Sequence, residues 1–254
     1  MCDIAIFGIS LCKRFVMDIL YIAGGKEKET EQMLRYSLRS IAKYGKNIGK
    51  VVVCTPKPLD LNVEQVVVPR RYKEKAKDIM WAIENSIDCM GDEFLLSSVD
   101  HFYIKDTDFD HYPYYYRGEL PTEYGNEKDH YIHHLVDTRH FLEECGLGTI
   151  DFSGHCNTHF DKNIFRKYQN AIHKAYDYTP YGIEASAFMI NAIDKERGME
   201  KVYREDIKIA CANTYDNIVE KIGKSECFSI LFMTMRESVG EWLEMQFPNR
   251  CEFE

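Results

Sequence analysis

The chain has 254 residues, 45% of them hydrophobic and 29% charged, with a formal net charge of −9. That length suits one large domain, or a domain with an appendage, and its core is large enough to need no disulfide or metal staple. The acidic balance disfavours a broad electrostatic nucleic-acid surface while leaving room for a local basic patch. The nine cysteines, at positions 2, 12, 54, 89, 145, 156, 211, 227 and 251, include no Cys-x-x-Cys pair, so a structural zinc site is not expected. An odd number of thiols, several in apolar runs (Cys54, Cys211, Cys227), suits free cysteines in a reducing cytoplasm.

The amino terminus, MCDIAIFGISLCKRF, is apolar but carries Asp3 and lacks a basic leading region, so it makes a poor signal peptide. The run from Ile4 to Leu11 is too short to span a bilayer and reads as a strand, or as sequence ahead of a later start. Val16 to Ile22 is the first expected central strand, broken by Ala23-Gly24-Gly25. Asp18 falls mid-strand in this register; the alternative is a solvated strand start. Thr30 to Tyr44 places Met33, Leu34, Leu38 and Ile41 on one helical face. Val51 to Cys54 and Val63 to Val68 are short strands ended by prolines, and Lys73 to Ser86 carries Ala76, Ile79, Met80 and Ile83 at helical spacing. Glu93 to Lys105, EFLLSSVDHFYIK, follows as a buried strand with Asp100 and His101 at its end. Strand, helix, strand, strand, helix, strand over about a hundred residues predicts an α/β fold with a mainly parallel central sheet flanked by helices.

In such a sheet ligands bind outside the carboxyl ends of the strands, which singles out Asp100 and His101. The plain alternative is an Asp that caps a turn. Beyond this strand the pattern loosens. Helices are expected over 129–145, 160–175, 184–197 and 225–247, and strands over 149–152 and 206–212. No repeat, low-complexity tract or linker breaks the chain, so one domain over 1–254 is expected.

Several side chains offer chemistry, each beside a plainer role. Arg35 and Arg39 share a helix face, usually a solvated one. Lys73, Lys75 and Lys77 open the second helix, where cations and helix N–H groups both favour phosphate; a solvated charge run is the alternative. Tyr112, Tyr114, Tyr115, Tyr116 and Arg117 form an aromatic loop suited to packing on a sugar face or on the domain's own core. His155 follows Gly154 and suits a base that takes a proton from a hydroxyl; lone histidines also serve as structure. His155, His159 and Asp161 would bind zinc only on a helix, and Gly154, Asn157 and Thr158 argue for a loop. Asp206, Lys208, Asn213 and Asp216 surround the last expected strand. Lys208 could neutralise a diphosphate, and Asp216 could supply a second carboxylate.

The segments MDILYIAGG (17–25), LRYSLRSIAKY (34–44), VVVCTPKP (51–58), FLLSSVDHFYI (94–104), GHCNTHFDKNIF (154–165) and IKIACANTYDN (207–217) stand in the order seen in the Stealth-type sugar-phosphate transferases. Together with the ending FPNRCEFE (247–254), they resemble still more closely the small phage and prophage glycosyltransferases and capsule-biosynthesis proteins. The resemblance covers most of residues 16–254. It implies a GT-A-like fold, with a nucleotide-sugar-binding half (16–105) and an acceptor-side half (106–254). It also implies a nucleotide-sugar donor, most readily a UDP-sugar, and transfer to a glycan or other hydroxyl acceptor, a modified DNA base included, in the cytoplasm, that of the host cell for a phage-encoded protein. In this reading His155 and Asp100 are catalytic; Tyr21, Ala23, Gly24, Arg39, Lys75, Asp78 and Lys208 bind the donor; Tyr115, Tyr116 and Arg117 bind the acceptor; and Asp100, His101 and Asp216 hold a divalent metal. Two departures stand out. His101 replaces the second Asp of an Asp-Asp pair, which suits Mn²⁺ better than Mg²⁺ and leaves use of one carboxylate, or of no metal, open. His155-Cys156-Asn157 replaces a His-x-Pro motif. Sugar-phosphate transfer, or nucleotide-sugar binding without catalysis, are the alternatives.

Overall fold

The computed structural model describes residues 16–24, 28–126, 129–211, 214–223, 225–236 and 238–254. The apolar amino terminus read as a strand, Gly25 and Asn213 lie outside them. The first half opens with β1 (Met17–Ile22) and α1 (Lys28–Tyr44), followed by β2 (Gly45–Lys46), β3 (Ile48–Thr55), β4 (Glu64–Val67), α2 (Lys75–Ser86) and β5 (Glu93–Ser98). After β6 (His101–Tyr103), β7 (Thr107–Asp108), β8 (Tyr114–Tyr116) and β9 (Gly118–Glu119) the chain enters α3 (His130–Glu144). Then come β10 (Ile150–Asp151), β11 (Thr158–Asp161), α4 (Lys162–Lys167), α5 (Gln169–Tyr178) and α6 (Ala185–Arg197). The end is built from β12 (Lys201–Tyr203), β13 (Lys208–Ile209), α7 (Tyr215–Ile222), β14 (Cys227–Ile230) and α8 (Ser238–Gln246).

The central sheet has the order β11-β5-β1-β3-β4. β5, β1, β3 and β4 run parallel, and β11 joins β5 antiparallel. Both faces are buried, which is why β1 and β3 read as nearly unbroken apolar runs. Ile19, Tyr21, Val53 and Leu95 face a core shared with α1, α7 and α8. Leu20, Val52, Phe94 and Leu96 face the opposite core, shared with α2 through α6. The result is a three-layer α/β/α arrangement, as the element order predicts. Among the described residues no helix is long and apolar enough to cross a membrane.

Three expectations are corrected. The helix expected over 160–175 begins only at Lys162, because β11 precedes it. Asp161 stops the strand and caps α4, its carboxylate accepting the N–H groups of Asn163 and Ile164, both at 2.9 Å. The helix expected over 225–247 shrinks to α8, because Cys227–Ile230 forms β14, buried between β13 and β6. The strand expected over 206–212 is the two-residue β13.

Asp18 marks the end of the sheet opposite the carboxyl ends. Its Oδ1 accepts the N–H of Lys50 at 2.8 Å and its Oδ2 that of Gly91 at 3.1 Å, tying β1 to β3 and to the turn before β5. Gly49 makes room for this: a Cβ there would stand 2.4 Å from Asp18 Oδ1. Asp18→Ala would hand two N–H groups of exposed residues back to water and is expected to lower stability by about 0.5–1.5 kcal/mol for each bond lost. The check is a lower urea midpoint at unchanged m-value; an unchanged midpoint would refute the tie.

Candidate functional site

From β1 the chain crosses to β3 and β4 on one side, then returns to place β5 on the other. The carboxyl ends of β1 and β5 therefore flank a topological switch point, where open α/β sheets form their ligand crevice. A cavity of about 790 Å³ opens there, within the range of small-molecule sites. Gly24 after β1 and Thr55 at the end of β3 line it, as do Ser98 at the end of β5 and Asp100 and His101 beyond it. Arg70, Lys75, Asp78 and Trp81 form the wall on the α2 side. His155 and Lys208 close it from the second half of the chain.

β5 ends at Ser98 and β6 starts at His101, so Asp100 sits in the tight turn between them. Burial works against its charge, but His101, the Ser98 hydroxyl, Lys208 and Lys75 outweigh it and hold its carboxyl below the ordinary value. Asp100 is therefore ionised near neutral pH. His101 is buried, and burial pushes its imidazole below the ordinary value, so it is neutral there. Its Nδ1 makes a long contact with the Ser98 N–H, at 3.4 Å.

His155 is more tightly organised. Its Nδ1 lies 2.5 Å from Asp206 Oδ2, and its backbone N–H donates to Asp206 Oδ1 at 2.9 Å. Lys208 Nζ lies 2.9 Å from the other ring nitrogen, Nε2. An ammonium can only donate, so Nε2 is the accepting nitrogen and Nδ1 carries the proton given to Asp206. Arg117 braces the carboxylate from behind, with Nη1 3.2 Å from Asp206 and Nε 3.0 Å from Asp151. Burial opposes the charge of Asp206, but His155 and Arg117 hold its carboxyl well below the usual carboxylate range. Burial pushes the Lys208 ammonium down, as does Lys75, against the pull of Asp100 and Asp206.

Of the expected donor residues, Gly24, Lys75, Asp78 and Lys208 line the cavity. Asp78 is already engaged there, accepting from Arg70 Nε at 2.8 Å and from the N–H groups of Arg71 and Tyr72, which fixes the loop before α2. Ala23 is buried, its N–H donating to Cys54 O at 2.8 Å. Tyr21 lies in the core under α1 with its hydroxyl 3.0 Å from that of Ser37. Arg39 lies elsewhere, holding the chain end through the Glu254 carboxylate at 2.8 and 3.1 Å and Phe247 O at 2.9 Å. Tyr115, Tyr116 and Arg117 do not line this cavity. The Tyr115 hydroxyl donates to Glu226 at 2.5 Å, the Tyr116 ring packs on Tyr203, and Arg117 serves Asp206. Asp216 is exposed in the first turn of α7, outside the cavity lining.

Among the described residues no group of three or more His, Cys, Asp or Glu side chains is placed to hold a metal ion. Asp100 offers a cation one carboxylate, between the fields of Lys75 and Lys208. The wall formed by His130, Tyr131, His134, Ser153, Tyr181 and Glu184 is not among the residues that the sequence singles out. A signal for it existed in His130 and His134, four apart at the start of a helix; nothing local marks Glu184.

The chain matches no protein-family model and no curated protein. The chemistry open to the site follows from its side chains: an imidazole of fixed tautomer, the amino groups of Lys75 and Lys208, and the carboxylate of Asp100 around a cleft.

Proposed function

We propose that the protein is a nucleotide-sugar-dependent glycosyltransferase of GT-A type, moving a sugar from a donor such as a UDP-sugar to a hydroxyl acceptor. The observation that carries the reading is the meeting of Lys75, Lys208, Asp100 and the Asp206-held His155 at the switch-point cavity. A departing nucleotide diphosphate is a dense anion. Lys75, at the amino end of α2, adds its charge to the positive end of that helix, and Lys208 adds a second cation whose field, like that of Lys75, acts on Asp100. Ionised Asp100 accepts hydrogen bonds from hydroxyls of the transferring sugar. His155 Nε2 is the base. When the diphosphate draws the Lys208 ammonium away, the Nε2 lone pair is released to the acceptor hydroxyl. The acceptor proton passes to Nε2, the new oxygen–carbon bond forms at the anomeric centre, and the bond to phosphate breaks, releasing the nucleotide diphosphate. In this reading the two lysines neutralise the leaving group. The buried free thiols of Cys54, Cys156 and Cys227 suit a reducing, cytoplasmic setting.

The test is a thermal-shift panel of UDP-, GDP-, CMP- and dTDP-sugars, in EDTA and in Mn²⁺, on the wild type and on Lys208→Met. One donor class is expected to raise Tm in both conditions, by the equivalent of about 2.7 kcal/mol at a hundredfold excess over Kd. Lys208→Met is expected to weaken that donor roughly 10- to 100-fold, the worth of a lost hydrogen bond to a charged group. No shift with any donor would overturn the reading. A shift requiring Mn²⁺ and lost in Asp100→Ala would transfer the neutralising role from the lysines to a metal. Products with the phosphate still on the sugar would select the sugar-phosphate alternative, in which the attack falls on phosphorus.

A further inference from the structure

A further stretch of the cavity wall is built by the start of α3 and the segment between α5 and α6. His130 Nδ1 lies 2.9 Å from the Tyr181 hydroxyl, their rings 5.5 Å apart. Tyr131 holds its hydroxyl 3.2 Å from Ser153 Oγ while 46% of the residue stays exposed. Behind them His134 is buried, with Nδ1 3.0 Å from Gly182 O and Nε2 3.3 Å from Glu184 Oε2. Burial works against an imidazolium there, but Glu184 raises the group above its ordinary value. Burial likewise opposes the charge of Glu184, and His134 and Lys75 hold its carboxyl below the ordinary range. Gly182, at φ +86°, seats this segment on the first turn of α2: a Cβ there would come 2.7 Å from Lys77 Cγ and 3.0 Å from its backbone N.

We infer that this wall is the acceptor subsite and that it takes a neutral, hydroxyl-rich ring of the pyranose class; the inference rests on the transferase reading above. Tyrosine faces that are exposed yet pinned at their hydroxyls present flat apolar surface for the C–H face of a sugar. An ionised carboxylate accepts sugar hydroxyls strongly and repels a phosphate or a uronate. Ser153 stands two residues before His155 in the chain, so a ring resting on Tyr131 lies on the side of the cleft that carries the base. The arrangement sets ammonium groups for the anionic donor beside a carboxylate and aromatic rings for the neutral acceptor, with Lys75 acting on both Asp100 and Glu184 where the two meet.

The experiment is saturation-transfer NMR on the full chain with UDP present. The probes are methyl β-glucoside, methyl β-galactoside and methyl N-acetyl-β-glucosaminide, against glucose 6-phosphate and glucuronate. A neutral glycoside is expected to give signal that falls about two- to tenfold in Tyr131→Ala, the range of one lost ring contact. It should also fall in Glu184→Gln, whose amide oxygen can still receive His134. Tyr124→Ala removes a tyrosine that is 50% exposed but outside the cavity lining, and is expected to keep the signal. Melting temperatures establish that each variant is folded. Stronger signal from glucose 6-phosphate or glucuronate, unaltered signal in both cavity variants, or no signal from any neutral glycoside would overturn the inference. Failure of the transferase reading shows differently: no nucleotide sugar shifts Tm, while the glycoside signal stands or falls by itself.

Discussion

Asp206→Asn is expected to lower kcat by roughly 10²- to 10⁴-fold, the span associated with loss of a correctly oriented general base. In the wild type, Asp206 receives the Nδ1 proton of His155 and its backbone N–H, so the ring can turn neither over nor away. An Asn amide can offer N–H to Nδ1. That favours the tautomer with the proton on Nε2, which cannot accept one from a hydroxyl. Arg117 also loses one of its two carboxylate partners and keeps only Asp151. Asp206 touches no substrate in this mechanism; it positions the base. Its signature is therefore a fall in kcat with a much smaller change in donor KM, partly recovered in Asp206→Glu. Wild-type kcat in Asp206→Asn, or a loss that appears wholly in KM, would refute the positioning role.

The parts of the fold legible in the sequence are those whose local pattern and tertiary role agree. β1 and β3 are buried on both faces, so they read as apolar runs. α1 and α2 each carry a buried face and a solvated one, so helical periodicity finds them. β11 and β14 are different. Each has four residues, and each is a strand because of its neighbour: Thr158–Asp161 because β5 offers an edge, Cys227–Ile230 because β6 and β13 lie on either side. Partners of this kind override local propensity and leave little trace in the chain itself. The site divides the same way. Asp100 is legible because it ends a strand and the physics of open sheets says where ligands go. The bond between His155 and Asp206 spans 51 positions and exists only once β13 has packed against β14. Arg39 shows the converse. Its spacing from Arg35 is visible, but its partner is the last residue of the chain, and no periodicity announces that.

Between pH 6.5 and about 4 the fold is expected to lose stability steadily as acid is added, with buried histidine rather than carboxylate as the cause. His159 is the clearest contributor. Burial pushes its imidazole down to about 4. Its Nε2–H donates to Tyr112 O at 2.6 Å and its ring stacks on Tyr114 at 4.0 Å, so a second proton would have to be buried on Nδ1. In the unfolded chain a histidine takes that proton near pH 6.5. Across the window the unfolded state therefore holds a proton that the native state lacks, and stability rises with pH. Complete, the effect amounts to roughly 3 kcal/mol for His159 alone. His101, lowered by burial, acts in the same direction. The other shifted groups act mainly outside the window. His134, raised by Glu184 against its burial, contributes stability that is fully present below pH 6.5 and is lost only as pH rises above that. Asp100, Asp206 and Glu184, all held low, contribute stability that starts to be lost near pH 5, as unfolded carboxyls take protons, and is lost mostly below the window as pH falls through their depressed values. Urea unfolding at pH 7, 6, 5 and 4.5 measures the slope directly. His159→Gln keeps a donor for Tyr112 O and removes the titration, so its slope is expected to be shallower by about one proton. A wild type whose unfolding free energy is flat over this range, or a variant as steep as the wild type, would show that the acid sensitivity lies elsewhere.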